Sequence, residues 1–299
     1  MPYDIAIVGG GPAGLSAAVN ARARNKSVLV VSNDYRESPL YRAKQVDNYL
    51  GMPGQSGAAL LDAYYRHAEE TGAAFRGGRV LNIMALDGTC YLGIGSEMEE
   101  ARAVILCTGV SQGKKFPGEA EFLGRGVSYC ATCDGMLYRD RPVAVVGLAP
   151  DAPEEANFLQ GLGCQVTYVS GKRPEALDPA IPWVRAGRLE ITGEAAVTAL
   201  RVNGEDIPAD CVFLLRHAVP PTDLLPGLAL EGGYVAVDRE MKTNLSGVFA
   251  AGDCTGLPLQ LSKAVGEGLI AGQRAAEYVD QLCHSEVINS ITSEKRESV

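Results

Sequence analysis

Long apolar runs are missing from this sequence. Runs such as Ile5-Ala6-Ile7-Val8 and Val143-Ala144-Val145-Val146 fall far short of the ~20 residues a membrane-spanning helix needs. No charged-then-apolar segment opens the chain, so no secretory signal is read and a soluble, cytoplasmic protein is expected. Positive charge is also in short supply: 27 Lys+Arg against 36 Asp+Glu leave a net charge of −9 at pH 7. That balance argues against nucleic acid as a partner. Histidine occurs only three times, and Cys164, Cys211, Cys254 and Cys283 each stand alone. No second Cys/His pair is therefore at hand to complete a zinc site, and no metal is expected. The eight cysteines form no regular framework, which fits a reducing compartment.

What the sequence does have is Tyr129-Cys130-Ala131-Thr132-Cys133-Asp134-Gly135. Two cysteines at this spacing on a helix N-terminus can close a small, reducible disulfide, because unpaired backbone N–H groups and the helix dipole stabilise one thiolate. A purely structural bridge over two intervening residues constrains little of the unfolded chain. Asp134 favours chemistry over structure, since reducing a disulfide needs a group that protonates the departing thiolate.

Around this pair the chain alternates strands and helices. Tyr3–Val8 reads as a buried parallel strand, Leu15–Asn25 as an Ala-rich helix and Val28–Val31 as a second strand. Between the first two lies Gly9-Gly10-Gly11-Pro12-Ala13-Gly14, a glycine-rich turn that points to a dinucleotide pyrophosphate. Gly9 allows the tight turn, Gly11 the approach of phosphates, and Gly14 the close packing of helix on strand. Where a carboxylate usually holds the ribose, this chain carries Ser32-Asn33, either of which can hydrogen-bond it. A loop through Gln45–Tyr49 and Gly51–Gly54, a helix from Gly57 to Gly72 and strands near Arg79–Ala85 and Cys90–Gly95 follow. A strand then runs from Ala103 and stops at Thr108-Gly109, permitting close backbone approach to a nucleotide, with Cys107 as a small core residue. The pattern restarts with strand Pro142–Gly147, helix Glu154–Leu162 and strand Gln165–Ser170, and returns with Gly247–Asp253, Gln260 and a helix from Ser262 to Leu282. The expected fold is α/β, with two Rossmann-like three-layer domains, the smaller inserted into the larger. Residues 1–112 and 242–285 make the larger domain, 113–241 the smaller, and 286–299 a polar, mobile tail. Hinges are expected at Gly109–Gly118 and Asp238–Thr243.

Gly9–Gly14, Cys107-Thr108-Gly109, Cys130–Gly135 and Ala250-Ala251-Gly252-Asp253 stand in an order and spacing that resembles the low-molecular-weight thioredoxin reductases, over the whole chain to Leu282. The resemblance implies a homodimeric FAD protein. It implies that Gly252-Asp253 and Gln260-Leu261 hold the ribityl chain and flavin, and that Asn48 lies near the isoalloxazine. Cys133 matches the cysteine that faces the flavin, Cys130 the one that attacks thioredoxin, and Asp134 the acid/base.

Three departures stand beside these matches. The second glycine-rich turn of the NADPH-dependent members is replaced by Gly147-Leu148-Ala149-Pro150-Asp151-Ala152. Ala149 adds a Cβ, Pro150 removes an N–H and Asp151 adds a negative charge, each opposing a dianionic ligand. The family's basic run after the next strand becomes Ser170-Gly171-Lys172-Arg173, and Leu214-Leu215-Arg216-His217 places an arginine on the nucleotide's path. Arg216 is expected to pair with Asp151 across the crevice. An intact flavin domain and disulfide with an eroded nucleotide site resemble the ferredoxin-dependent flavin thioredoxin reductases. That resemblance implies ferredoxin as donor, with Lys114-Lys115, Arg139-Asp140-Arg141, Lys172-Arg173, and Arg185 with Arg188 as the basic clusters available to an acidic partner. Alternatives are a modified but working NADPH or NADH site, a different thiol-protein partner, and a non-catalytic flavin-binding regulator.

Overall fold

The structure is a computed structural model and describes residues 2–86, 88–110, 115–216 and 221–297. In chain order its elements begin with β1 (Tyr3–Val8), α1 (Pro12–Arg22), β2 (Val28–Ser32), α2 (Gly57–Glu70), β3 (Ala74–Gly77), β4 (Val80–Leu86), β5 (Thr89–Ile94) and β6 (Glu97–Leu106). Then come α3 (Glu119–Phe122), β7 (Val127–Ser128), α4 (Ala131–Asp134), β8 (Pro142–Gly147), α5 (Ala152–Gly161), β9 (Gln165–Ser170), β10 (Trp183–Arg185), β11 (Leu189–Gly193), β12 (Val197–Val202), β13 (Glu205–Pro208) and β14 (Cys211–Leu215). The chain closes with α6 (Pro221–Leu224), β15 (Leu230–Glu231), β16 (Tyr234–Val235), β17 (Val248–Ala250) and α7 (Leu261–Glu297).

Two compact units result, one of Met1–Ser111 with Pro220–Val299 and one of Gln112–Val219. In the larger, the sheet order is β3-β2-β1-β6-β5-β4 with β17 also on β6. The strands β3, β2, β1, β6 and β17 pair in parallel, whereas β4, β5 and β6 form an antiparallel meander. Parallel strands covered on both faces must be apolar throughout, and Ile5–Val8 and Val28–Val31 are buried without interruption. Helix α7 packs its alanines Ala271, Ala275 and Ala276 into the same core as Ala13, Ala17 and Ala21 of α1, small side chains that let the two helices approach closely.

The smaller unit has the all-parallel order β10-β9-β8-β14-β7. Alternation along β8 sends Val143 and Val145 to Ala152, Ala156 and Leu159 of α5, and Ala144 and Val146 to Ile191, Leu200 and Val202 of the antiparallel β11-β12-β13 sheet. One strand thereby serves two cores, and the unit is a three-layer α/β/β stack. The α/β class read from the sequence is what the structure has.

Several boundaries differ from the reading above. Helix α1 ends at Arg22 because Asn25 adopts a left-handed φ of 58°. The helix expected to end at Leu282 continues as α7 through the expected tail to Glu297; no glycine or proline follows Gly272 to interrupt it. The segment from Pro221 to Met241 belongs with the larger unit, not the smaller. There α6 packs on β4, β16 packs on the turn Asp253–Thr255, and the Ala229 N–H donates to Asn244 Oδ1 at 2.9 Å. The expected hinge at Asp238–Thr243 is consequently an ordered turn, whose Asp238 Oδ1 accepts from the N–H groups of Glu240 (2.8 Å) and Lys242 (3.0 Å). Of the other expected hinge, Ser111–Lys114 lie outside the described residues, as does His217.

Candidate active site

The glycine-rich turn sits in the larger unit, between β1 and α1. Gly9 has a φ of 116°, and a Cβ on it would stand 2.2 Å from the Cys107 carbonyl oxygen, so no other residue fits the turn. A Cβ on Gly14 would lie 1.9 Å from the Gly9 carbonyl oxygen, whereas one on Gly11 would meet nothing within 4 Å. Gly14 is thus fixed by packing, and Gly11 leaves open space in front of the α1 N-terminus. Pro12 opens the helix, followed by buried Ala13, and the missing proline N–H is one that a helix start leaves unpaired anyway. The arrangement has the shape that a pyrophosphate cradle needs.

Other expected cofactor residues gather in the same unit. Ser32 ends β2 with its hydroxyl 2.9 Å from where a Cβ on Gly10 would be, and Asn33 follows it. Thr108 and Gly109 follow β6. Asn48 and Gln260, 212 positions apart, join through an Nδ2–H···Oε1 bond of 2.7 Å beside Leu261, the first residue of α7. Among the described residues Thr108 Oγ1 and Asp253 Oδ1 are buried without a hydrogen-bond partner. Burial also pushes the Asp253 carboxyl above its usual range, with Glu267 adding to the rise and Lys263 opposing it. Orphaned buried polar atoms beside a pyrophosphate cradle are what a site for a polar, phosphate-bearing group requires, so these residues fit a bound dinucleotide.

The sequence reading missed the clamp behind Gly252. Lys263 Nζ donates to the Gly252 carbonyl (2.8 Å), Thr255 Oγ1 (2.9 Å) and Glu267 Oε2 (2.9 Å). Glu267 Oε2 also accepts from the Gly252 N–H at 2.9 Å. The i,i+4 Lys–Glu spacing was the available signal. Burial pushes the Cys254 thiol up to about 11 and raises Cys107 well above its usual range, so both are protonated core thiols.

The smaller unit carries the redox pair. Cys130 and Cys133 are joined as a disulfide with Cα atoms 5.4 Å apart. Cys130 caps α4, and its Sγ accepts the Cys133 N–H at 3.0 Å. The Ala131 N–H donates to Glu155 Oε2 of α5 at 3.2 Å. Ser128 Oγ lies 2.7 Å from Asp134 Oδ2, so the acid is held beside the pair. Cys130 is buried, whereas Cys133 is exposed.

The eroded turn of this unit is filled from within. A Cβ on Gly147 would stand 1.9 Å from the hydroxyl of Tyr168, a β9 side chain that is itself buried. The surviving glycine thus makes room for a tyrosine ring. Arg216, expected to pair with Asp151, pairs instead with Glu119 Oε2 at 2.8 Å. Glu119 is 0% exposed and Arg216 6%. A carboxylate that deep demands a counter-charge, and the end of β14 is where one was within reach. The same carboxylate accepts the Phe116 N–H (2.8 Å) and the Tyr129 hydroxyl (2.9 Å), and the guanidinium lies over the Phe116 ring at 5.1 Å. Of the basic clusters, Arg141 pairs with Asp210 at 2.7 Å and Arg173 donates to the Asp178, Pro179 and Ile181 carbonyls. Arg185 and Arg188 are exposed, and Lys114 lies outside the described residues.

Residues 3–268 match the family model described as pyridine nucleotide-disulphide oxidoreductase. The chain is similar to the thioredoxin reductase of Listeria innocua serovar 6a, 34% identical over 304 residues that cover 94% of this chain and 95% of that one. It is also similar to that of Bacillus subtilis strain 168, 32% identical over 306 residues covering 94% and 96%. Among solved structures, a ferredoxin-flavin thioredoxin reductase from Clostridium acetobutylicum is 38% identical with a TM-score of 0.89, over 94% of this chain and 99% of that one. A thioredoxin reductase from Gloeobacter violaceus is 33% identical with a TM-score of 0.82, over 94% and 95%. Among the described residues no helix is long and apolar enough to cross a membrane. With its glycine-rich cradle, its short-spaced disulfide and relatives matched along nearly their whole length, the chain belongs to the pyridine nucleotide-disulphide oxidoreductase family, as a flavoprotein disulfide reductase of the thioredoxin reductase type.

Proposed function

We propose that this protein is a cytoplasmic, homodimeric FAD enzyme that reduces the disulfide of thioredoxin, and that its electrons come from reduced ferredoxin in place of a nicotinamide nucleotide. The observation that carries the donor reading is the filled crevice of the smaller unit, where Tyr168 lies against Gly147 and Arg216 is locked to Glu119. Hydride donors need a glycine turn open to a pyrophosphate, and this turn offers a Cβ at Ala149 and no N–H at Pro150. The likeness to the Clostridium acetobutylicum structure supports the same donor.

In this reading Gly9, Gly11, Pro12, Ala13 and Gly14 hold the FAD pyrophosphate, and Ser32 and Asn33 the adenosine ribose. Asn48, Thr108, Gly109, Gly252, Asp253, Gln260 and Leu261 hold the ribityl chain and ring. When bound, the flavin collects single electrons and delivers a pair to a disulfide. Opening the Cys130–Cys133 bond consumes that pair and, with two protons, leaves two thiols. In this reading Cys133 is the sulfur that receives the electron pair, and Asp134 protonates the departing Cys130 thiolate. The Cys130 thiolate then attacks the thioredoxin disulfide, forming a mixed disulfide, and Cys133 resolves it, which restores the internal bond and releases reduced thioredoxin. Exposed Arg185 and Arg188 suit an acidic donor, with Arg139, Lys172 and Lys115 as further positive charge.

Anaerobic titration of the flavoprotein, read at the flavin absorbance, tests the donor. Reduced ferredoxin bleaches the chromophore and, with oxidised thioredoxin present, yields free thiols; NADPH or NADH at micromolar concentration leaves it oxidised. Bleaching by either nucleotide alone would overturn the donor reading.

The clamp behind Gly252 has its own expected outcome. In Lys263→Met, Glu267 and the Gly252 carbonyl lose a charged donor, a loss on the order of 1–3 kcal/mol for part-buried groups. The flavin dissociation constant therefore rises by roughly 10-fold, at about 1.4 kcal/mol per decade, measured by the recovery of flavin fluorescence on dilution.

A further inference from the structure

Ser128, the last residue of β7, is buried and no motif singled it out. Its Oγ lies 2.7 Å from Asp134 Oδ2, accepts the Cys130 N–H at 3.1 Å and lies 3.2 Å from the Cys130 carbonyl oxygen. A hydroxyl has one hydrogen and two lone pairs. With Asp134 ionised, that hydrogen goes to the nearer, charged oxygen. With Asp134 protonated on Oδ2, Oγ accepts the acid's O–H and turns its own hydrogen to the Cys130 carbonyl. Both states leave every group on Oγ satisfied, and the Cys130 N–H bond is kept throughout. An alanine could serve neither state.

We infer that Ser128 is the positioning residue for proton delivery, holding the Asp134 carboxyl against the Cys130 backbone in both of its protonation states. This rests on the reading of Asp134 as the acid. When an electron pair enters the Cys130–Cys133 bond, the S–S bond breaks and the proton on Asp134 passes to the Cys130 sulfur. The carboxylate so formed takes the Ser128 hydrogen. When Cys130 is next deprotonated for attack on a substrate disulfide, the proton returns to Asp134 and the hydroxyl turns back.

The test uses flavin-loaded enzyme reduced with dithionite under anaerobic conditions, and a double-mutant cycle read as the rate of thiol release. The two substrates are oxidised thioredoxin and the small disulfide 5,5′-dithiobis(2-nitrobenzoate). Asp134→Asn slows the step by about 10²-fold, the lower range of general-acid effects. Ser128→Ala slows it by roughly 10-fold through loss of alignment, with KM unchanged, and the double variant is no slower than Asp134→Asn alone. A merely structural role would slow the double variant by the full product of the two effects. That product, or a Ser128→Ala rate equal to the parent's, overturns the inference. If the parent reduces the small disulfide but not thioredoxin, the proposed substrate falls while the cycle on the small disulfide still decides Ser128. Should Ser128→Ala fail to fold, Ser128→Thr keeps the hydroxyl: a rate within threefold of the parent supports the inference, and a rate at the Asp134→Asn level overturns it.

Discussion

The Cys133→Ser variant turns over thioredoxin about 10⁴-fold more slowly than the parent, the scale on which removal of a covalent-catalysis residue is felt. Mixed with oxidised thioredoxin, it accumulates as a covalent adduct through Cys130. The Cys133 N–H that donates to Cys130 Sγ is backbone and persists in the serine variant, so the Cys130 thiolate keeps its stabilisation. With no sulfur at position 133, nothing resolves the mixed disulfide. Cys130→Ser is equally inactive and forms no such adduct. Burial alone argues the other way round, because Cys130 is 8% exposed and Cys133 is at the surface. The hydrogen bond outweighs it, since nucleophilicity requires the thiolate and access can follow once the bond has opened. Non-reducing electrophoresis and mass spectrometry of both variants decide the matter. An adduct formed by Cys130→Ser and not by Cys133→Ser would reverse the two roles.

Replacing Glu119 by leucine destabilises the protein by about 3–5 kcal/mol, because the Arg216 charge is left buried without its partner. Its Nε and Nη1 already lack hydrogen-bond partners among the described residues, so the site has no spare acceptor to offer. The Tyr129 hydroxyl and the Phe116 N–H lose their acceptor in the same stroke. At ~2–4 °C per kcal/mol for a domain of this size class, the melting temperature falls by roughly 10 °C. The double variant Glu119→Leu with Arg216→Met recovers most of the loss, since an apolar pair of similar volume replaces a buried ion pair at little net cost. Thermal melts of the parent and the two variants supply the measurement. A double variant as unstable as Glu119→Leu alone would show that packing volume, not charge, governs the site.

Much of the fold was legible because its signals act within a few residues. Gly9 is demanded by its own positive φ and Gly14 by the Gly9 carbonyl at contact distance, Cys130 and Cys133 are separated by one helical turn, and Val28–Val31 announces a buried strand by its composition alone. The failures share another cause. Residues 286–299 read as a tail by their polar composition, although no breaker precedes or interrupts them after Gly272. The boundary at Met241 was misplaced because the contacts of α6 and β16 are made with elements far away in the chain.

The sequence alone determined the α/β class, the glycine-rich turn and the short-spaced cysteine pair with Asp134 beside it, since each depends on backbone geometry and on dipoles that act between near neighbours. Only the tertiary structure decided which partner Arg216 takes, 97 positions away at Glu119, that Tyr168 occupies the space beside Gly147, and that Asn48 meets Gln260. The physical reason is that a buried charge or ring selects its neighbour by packing in three dimensions, where the desolvation cost is settled. Sequence separation leaves no periodic trace of such choices.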